Sequence, residues 1–177
     1  MLSKIKLRQG VLPLPGGMSM SRLRGHLVIL ASILLGIGPA LAEDPVIRVP
    51  DADPVMNAAI DKARNTLPAF WTRFASPAPD EHDFNLKLAI TDANGTEHFW
   101  CVDIEGDAVA ATCEIGNEPQ LVESVSYGER VSVDFDIISD WMYFDGDKVR
   151  GGRTIRAMLS RMSAEDAAYY RSLLLDE

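Results

Sequence analysis

The stretch FNLKLAITDANGTEHFWCVDI, residues 84–104, decides the fold. From Phe84 to Ile90 its apolar residues alternate with polar or small ones, which is the period of two expected of a half-buried strand. Asn94-Gly95 is a strong signal for a tight turn, and a second strand-like run continues from Glu97 to Ile104. The stretch therefore predicts an antiparallel β-hairpin.

Further strand-like segments follow this hairpin. Val109–Ile115 is predicted to be the third strand, and Gly116-Asn117-Glu118-Pro119 ends it. From Val131 to Ile137 apolar residues alternate with a serine and two aspartates, so we expect a fourth strand with its acids on the solvent side. Residues 141–150 indicate another hairpin, which turns at Asp145-Gly146-Asp147.

Two amphipathic helices flank the strands. Asp53-Pro54 supplies an N-cap with proline at the first helical position. An apolar stripe of helical period then runs from Met56 to Phe74, and Pro68 is expected to kink or split this helix near Thr66. Ser163–Asp166 caps a final helix. This order predicts an α+β domain, in which an N-terminal and a C-terminal helix flank an antiparallel meander of five to six strands, folded as a bent sheet or a half-open barrel.

Charge is unevenly distributed along the 177 residues. The first 42 residues contain five bases and no acid, whereas the remaining 135 contain 12 bases and 26 acids, a net charge of −14. This balance argues against nucleic acid or an anionic membrane surface as a partner, because phosphate binding needs a cationic surface. We expect a short N-terminal arm at residues 43–52 and a single domain at 53–177.

The basic leader, residues 1–42, has the pattern of a secretory signal peptide. Residues 20–26 are basic, residues 27–38 form a 12-residue apolar run, and small residues precede a cleavage site after Ala42. A retained N-terminal anchor is the alternative, although about 20 apolar residues are needed to span a bilayer. We expect the true start at Met18 or Met20, and a periplasmic or secreted mature chain that does not contact the membrane.

Two cysteines in an exported domain make a disulfide between Cys101 and Cys113 possible. A two-residue turn at Gly106-Asp107 would place the cysteines on opposite faces of the hairpin. A three-residue loop or a bulge would pair them directly. We favour the disulfide, with two buried thiols as the alternative.

Several short strings, in this order and spacing, resemble the YegJ-like family of bacterial proteins, which share a domain of unknown function. The resemblance covers roughly residues 56–170. It implies a small α+β domain, often exported, with no established activity, and no catalytic residue can be transferred from it. The strings are Phe84-x-Leu86-Lys87, Glu97-His98-Phe99-Trp100, Gly116-Asn117-Glu118-Pro119, Gly128-Glu129-x-Val131, Ile138-Ser139-Asp140-Trp141-Met142-Tyr143 and Gly151-Gly152-Arg153-Thr154-x-Arg156.

Asp140-Trp141-Met142-Tyr143 is the first candidate for a functional site. Trp141 and Tyr143 can form a binding platform, and Asp140 can orient a polar ligand beside them. The alternative, which we favour, is a structural corner in which Trp141 lies in the core and Asp140 accepts backbone N–H groups at a turn.

His98 is the second candidate. It could meet Asp140 or Tyr143 across the sheet and act as a general base. A histidine hydrogen-bonded at the rim of the sheet is the simpler interpretation, because the chain contains no nucleophile, zinc or phosphate-loop motif.

The remaining candidates are charged clusters. His82 lies among Asp80, Glu81 and Asp83, but neither this cluster nor the 145–147 turn has the spacing of a calcium or zinc site, so we expect solvated turns and no metal. Basic residues concentrate near the C-terminus, where they could bind an anionic ligand or partner or, more simply, pair with Asp134 and Asp136. These residues are Arg150, Arg153, Arg156 and Arg161.

The sequence favours a non-enzymatic periplasmic module that binds an unknown protein or small ligand, without a cofactor, through the region of Trp141, Tyr143, Arg153 and Arg156. A small enzyme built on His98 and Asp140 is the second hypothesis. An immunity or stress-response factor is the third, and it depends only on small size and export.

Overall fold

The computed structural model describes residues 2–6, 46–50 and 52–175. The apolar run of the predicted signal peptide and the cleavage site after Ala42 lie outside these residues, so both stay predictions. The described strands are β1 (Leu2–Lys6), β2 (Val46–Pro50), β3 (Glu81–Asp92), β4 (Gly95–Gly106), β5 (Ala111–Ile115), β6 (Arg130–Ser132), β7 (Ile138–Asp145) and β8 (Lys148–Gly151), and the helices are α1 (Pro54–Ala75), α2 (Arg153–Met158) and α3 (Ala164–Leu173).

Strand β3 lies at the centre of an open sheet. As predicted, it forms a hairpin with β4, in register from Leu86↔Cys101 to Asp92↔Gly95, and its other edge pairs with β7. From β3 onward the strands are all antiparallel, in the spatial order β6-β5-β4-β3-β7-β8, which confirms the α+β class. The chain departs from a simple meander after β6, because it crosses back to place β7 beside β3.

The two N-terminal strands were not predicted from the sequence. Strand β1 pairs in parallel with the start of β4, at Glu97 and His98, and antiparallel with β2. No helix in the described part of the chain combines the length and the apolar character that crossing a bilayer requires.

Helices cover both faces of the sheet and create two cores. The α1 core contains Ala63, Phe70, Trp71, Leu86, Leu88, Phe99, Cys101, Ala111, Cys113, Ile115, Val122, Val133, Ile138, Trp141 and Tyr143. The α2–α3 core contains Met56, Trp100, Met142, Phe144, Val149, Ile155, Met158, Tyr170 and Leu174. Alternate residues of β7 therefore enter different cores, as the period of a strand requires.

The predicted boundaries were wrong at two strands, in both cases because an aspartate side chain accepts backbone N–H groups two or three residues further along the chain. Asp107 accepts the N–H groups of Val109 and Ala110, so a four-residue loop replaces the two-residue turn and β5 begins only at Ala111. Asp134 accepts the N–H of Asp136 and begins a 3-10 turn, Phe135–Ile137, where the fourth strand was expected to continue.

The helix caps are confirmed, whereas the split near Thr66 is wrong. Asp53 accepts the N–H of Met56 at 2.8 Å and begins α1, which runs unbroken through Pro68 to Ala75. Ser163 accepts the N–H of Asp166 at 3.0 Å and begins α3.

The disulfide between Cys101 and Cys113 is present in the α1 core, where both residues are fully buried. Cys101 lies opposite Ile115 rather than Cys113 in the pairing of β4 with β5. A register shift between Val102 and Glu105, with Asp103 at φ 47°, accompanies this pairing. The hairpin thus contains the bulge that one of our two alternatives required.

Candidate functional site

A fully buried polar cluster joins the sheet to α2. Its members are Lys87 on β3, Asp140 on β7 and Thr154 on α2, and none of the three is exposed to solvent. Lys87 and Asp140 face each other as cross-strand partners. The hydroxyl of Thr154 links them, since it accepts from Lys87 Nζ at 3.1 Å and donates to Asp140 Oδ2 at 2.7 Å.

The Asp140 carboxylate caps the start of α2. It accepts the backbone N–H groups of Arg153 and Thr154 at 3.1 and 2.7 Å, and that of Trp141 at 2.9 Å. These bonds satisfy N–H groups that have no partner within the helix. The structural corner predicted as the alternative for Asp140 therefore agrees with the contacts.

Burial favours the neutral forms of both charged members of this cluster. It lowers the pKa of Lys87 to about 8, against the attraction of Asp140. It also raises the pKa of Asp140, while Lys87 and the hydrogen bonds to Thr154 and Trp141 oppose the rise. The Lys87 ammonium lies 5.0 Å from the centre of the Trp100 ring, which provides a further favourable contact for the cation.

His98 makes a structural hydrogen bond beside this cluster. Its Nδ1 lies 2.8 Å from Ser139 Oγ, and that hydroxyl donates to the backbone carbonyl of Lys87 at 3.2 Å. Because the Ser139 hydrogen is used there, His98 Nδ1 must donate its own hydrogen to Ser139. Burial lowers the pKa of His98 to about 3, with further contributions from the positive charges of Lys87 and Arg64. The imidazole is therefore neutral and too weakly basic for proton abstraction near neutral pH.

Trp141 and Tyr143 lie on the opposite side of the sheet from Asp140, because neighbouring strand residues alternate in direction. Trp141 donates its indole N–H to the Ala63 carbonyl at 3.0 Å, and Tyr143 stacks on Phe84 with ring centres 4.7 Å apart. Both rings are buried in the α1 core. The structure thus brings His98 close to the Lys87 cluster but leaves Tyr143 away from it, and it forms no exposed aromatic platform.

The C-terminal arginines do not form the expected pairs with Asp134 and Asp136. Arg150 pairs with Asp145 at 2.9 Å, and Arg161 pairs with Asp53, the N-cap of α1. Asp134 and Asp136 lie between β6 and β7, at the start of and within the 3-10 turn Phe135–Ile137, where neither contacts Arg150 or Arg161.

Arg153 and Arg156 also lie within the fold rather than on an open surface. Arg153 is buried, and burial together with the nearby charge of Arg156 lowers its pKa. Arg156 donates to the backbone carbonyls of Gly151 and Leu175, so it ties the start of α2 to the C-terminal segment.

The His82 cluster is a turn contact. Its Nδ1 lies 2.9 Å from Asp83 Oδ2 and its Nε2 lies 3.2 Å from the Gly146 carbonyl, while the ring stacks on Phe144. Within the residues that the structure describes, no group of three or more His, Cys, Asp or Glu side chains could hold a metal ion.

Sequence reasoning missed Glu97 as a structural residue. It is almost fully buried, and its carboxylate accepts the backbone N–H groups of Gln120, Leu121 and Val122 at 2.8 to 3.3 Å. It fixes the long loop between β5 and β6 to β4. No pattern near Glu97 indicates this role, because its partners lie more than 20 residues away along the chain.

The open surface lies elsewhere, in two adjoining depressions that share Phe135. One, of about 740 Å³, separates the β4–β5 turn from residues 132–136. The other, of about 530 Å³, lies between α1 and the same segment, and it is lined by Arg64, Leu67, Pro68, Trp71, Thr72, Ala108 and Phe135. We call the combined surface, residues 64–72 of α1 with 105–112 and 132–136, the Phe135 groove.

Comparison with known proteins identifies a bacterial family and two relatives, of which the chain matches 63% and 53% of the length. A family model described as an uncharacterized protein conserved in bacteria (DUF2314) matches residues 53–174. The chain is 38% identical over 96 residues to the uncharacterized protein YegJ of Escherichia coli K12, which is 54% of this chain and 63% of that protein. It is 31% identical over 134 residues to a protein of Neisseria meningitidis serogroup B described as an ankyrin repeat protein, covering 71% of this chain and 53% of that one. No solved structure matches the chain.

Proposed function

The chain belongs to the bacterial family DUF2314, as its resemblance to YegJ-like proteins predicts, and we propose that this member is an exported, non-enzymatic binding module. The observation that carries the proposal is the structural role of its buried polar residues. His98 and Asp140, the two candidates for catalysis, are buried and hydrogen-bonded to groups that hold the fold together. A catalytic base must reach its substrate and have a pKa near the working pH, and His98 has neither property.

The accessible surface supports binding instead. The Phe135 groove is lined by apolar side chains, backbone, carboxylates and the guanidinium of Arg64, and it contains neither a histidine nor a cysteine. Concave surfaces of mainly apolar character with a few polar groups are the usual form of binding sites. The Neisseria relative is described as an ankyrin repeat protein, and the match covers 53% of it, so a similar sequence occurs as part of a longer chain.

Export is supported by the leader pattern and by the disulfide. The basic n-region, the apolar run and the small residues before Glu43 form a secretory signal pattern. A buried disulfide persists in the periplasm or outside the cell, where thiols are oxidised. N-terminal sequencing of the protein recovered from the periplasm tests this part: Glu43 is the expected first residue, and an intact leader on a membrane-bound protein would contradict it.

The binding function is tested by capture followed by reconstitution. The full chain with a C-terminal tag is exported, used to capture partners from periplasmic extract, and then mixed with each purified candidate to measure Kd. The same measurement is made with the variant His98→Asn, which removes the candidate base, while the asparagine amide retains a donor toward Ser139. We expect one partner to bind wild type and His98→Asn with equal Kd. Absence of any partner that binds after purification, or turnover of a metabolite by wild type that His98→Asn abolishes, would overturn the proposal.

A further inference from the structure

We propose that the Phe135 groove docks an extended, basic segment of a partner protein, with an apolar side chain of that segment seated between α1 and Phe135. The inference rests on the proposed binding function and names its surface and the chemistry of its partner. Three observations carry it: an apolar wall, an exposed acidic rim, and an open strand edge.

The apolar wall comes from one side of α1 and from the turn after β6. Leu67, Pro68 and Trp71 line the groove on the helix, and the ring of Phe135 lies 5.8 Å from that of Trp71. Trp71 is only 7% exposed, and its indole N–H has no hydrogen-bond acceptor among the described residues. A buried donor without an acceptor is unfavourable, so the wall of the groove contains one unsatisfied polar group.

The rim of the groove is acidic. Glu105, Asp134 and Asp136 all line it, and all three are exposed. In the described part of the chain Asp134 and Asp136 form no ion pair with a basic side chain, and Glu105 has only a 3.6 Å contact with Arg130. Arg64 also lines the groove, but its guanidinium donates to the backbone carbonyls of Asp136 and Ile138 rather than to these carboxylates. The partner segment is therefore basic, because a cationic chain matches this rim and the −14 charge of residues 43–177.

The strand edge favours an extended segment. Among the described strands β6 pairs only with β5, so the other edge of Arg130–Ser132 carries no strand partner. Ser132 lines the groove and is exposed. An extended peptide can add to such an edge through main-chain hydrogen bonds, while its alternate side chains reach the apolar wall and the acidic rim.

The test measures binding of a fluorescein-labelled synthetic peptide of alternating lysine and leucine residues by anisotropy, with an alternating glutamate and leucine peptide as its counterpart. Wild type is expected to bind the basic peptide and not the acidic one. The double variant Asp134→Asn, Asp136→Asn should weaken binding by at least about tenfold, which corresponds to about 1.4 kcal/mol. The matched control, Asp147→Asn with Glu165→Gln, removes two exposed charges outside the groove and should change Kd by less than about twofold, because isolated surface charges contribute little.

A third variant separates the apolar wall from general electrostatics. Trp71→Phe shortens the apolar wall, so the basic peptide should bind more weakly. Because the ring is also part of the α1 core, Tm should fall as well, and binding is therefore compared well below the unfolding transition of the variant. Failure of the basic peptide to bind, equal binding of both peptides, or an equal loss in the control variant would overturn the groove assignment.

The groove assignment and the binding function fail in different ways. A purified natural partner that binds the Asp134→Asn, Asp136→Asn variant as tightly as wild type would overturn the groove and leave the binding function standing. Only the absence of any partner would remove the binding function itself.

Discussion

Lys87 lies opposite Asp140 in the pairing of β3 with β7, and the Thr154 hydroxyl connects their charged ends in a region without solvent. The contact joins β3 to two elements that come much later in the sequence, β7 and the helix α2, which begins on the Asp140 carboxylate. A buried ion pair adds little net stability compared with an apolar pair, but loss of one member leaves the other charge buried without compensation.

Asp140→Asn should therefore destabilise the protein severely. The amide cannot compensate the Lys87 cation, and it cannot accept all four donors that the carboxylate accepts. We expect a loss of about 3–5 kcal/mol in the free energy of unfolding, measured by urea denaturation. Asp147→Asn, on an exposed turn, is the matched control and should change it by less than about 0.5 kcal/mol. A loss below about 1 kcal/mol for Asp140→Asn would contradict the structural role.

Removal of both charges should restore part of this loss. In the double variant Lys87→Met, Asp140→Asn no charge remains in the cluster, so its unfolding free energy is expected to exceed that of Asp140→Asn alone. A double variant that is less stable than Asp140→Asn would show that Lys87 contributes through packing rather than through its charge.

His98 should make the protein sensitive to acid. Its pKa is 6.5 in the unfolded chain and about 3 in the folded one, because burial lowers it and the nearby charges of Lys87 and Arg64 lower it further. Between these values the unfolded state binds more protons, so stability falls as pH decreases from about 6.5 toward 3, by up to about 1.4 kcal/mol per pH unit. Urea denaturation across this range should give a smaller slope for His98→Asn than for wild type.

The control for this prediction is His82→Gln, a substitution of an exposed histidine on the turn beside Gly146. It should retain the slope of wild type, because the acidic residues that also titrate in this range are unchanged. Equal slopes for wild type and His98→Asn would contradict the assignment of a neutral, buried His98.

Local signals were sufficient to predict some of the fold. The β3–β4 hairpin follows from alternation and from Asn94-Gly95, and the first and last helices follow from the caps at Asp53 and Ser163. These features depend on residues close in sequence, so short-range patterns determine them.

The candidate site was less predictable because burial there depends on distant elements. Lys87 and Asp140 lie on the face of their strands that the sequence pattern assigns to solvent, because an antiparallel sheet commonly has one face exposed to water. The Gly151-Gly152 bend instead brings α2 over that face and buries them. Phe135 was predicted in a strand. It lies in a turn at the groove instead, because the Asp134 side chain accepts the backbone N–H of Asp136.

Gly151→Ala tests the bend that positions α2. Gly151 has φ 82°, and an added Cβ would lie 2.2 Å from the Trp141 carbonyl oxygen and 2.6 Å from its ring. The backbone would have to move, so we expect the free energy of unfolding to fall by more than about 3 kcal/mol, as in other severe core substitutions, or the variant to fail to fold. Gly146→Ala has a similar φ of 61° with open space around it, and should cost only about 1 kcal/mol of backbone strain. Similar urea midpoints for the two variants would contradict this account of the bend.

The disulfide should contribute measurably to stability. Cys101 and Cys113 are 12 residues apart in sequence, and closing a loop of this size constrains the unfolded chain by about 3 kcal/mol. The double variant Cys101→Ser, Cys113→Ser is expected to lose about this amount and to be insensitive to reductant, whereas Tm of wild type should fall on reduction. If a thiol-alkylating reagent reacted with the urea-unfolded wild-type protein before any reduction, this would contradict the bonded state.

The central claim is that this chain acts by binding a partner at the Phe135 groove, and photo-cross-linking in living cells tests it most directly. A photoreactive phenylalanine analogue replaces the half-buried Phe135 in the groove or, as a control of similar size, the more exposed Tyr169 on α3. After irradiation we expect one discrete adduct with an exported protein from position 135 and none from position 169. No adduct from position 135, or the same adduct from both positions, would contradict the claim.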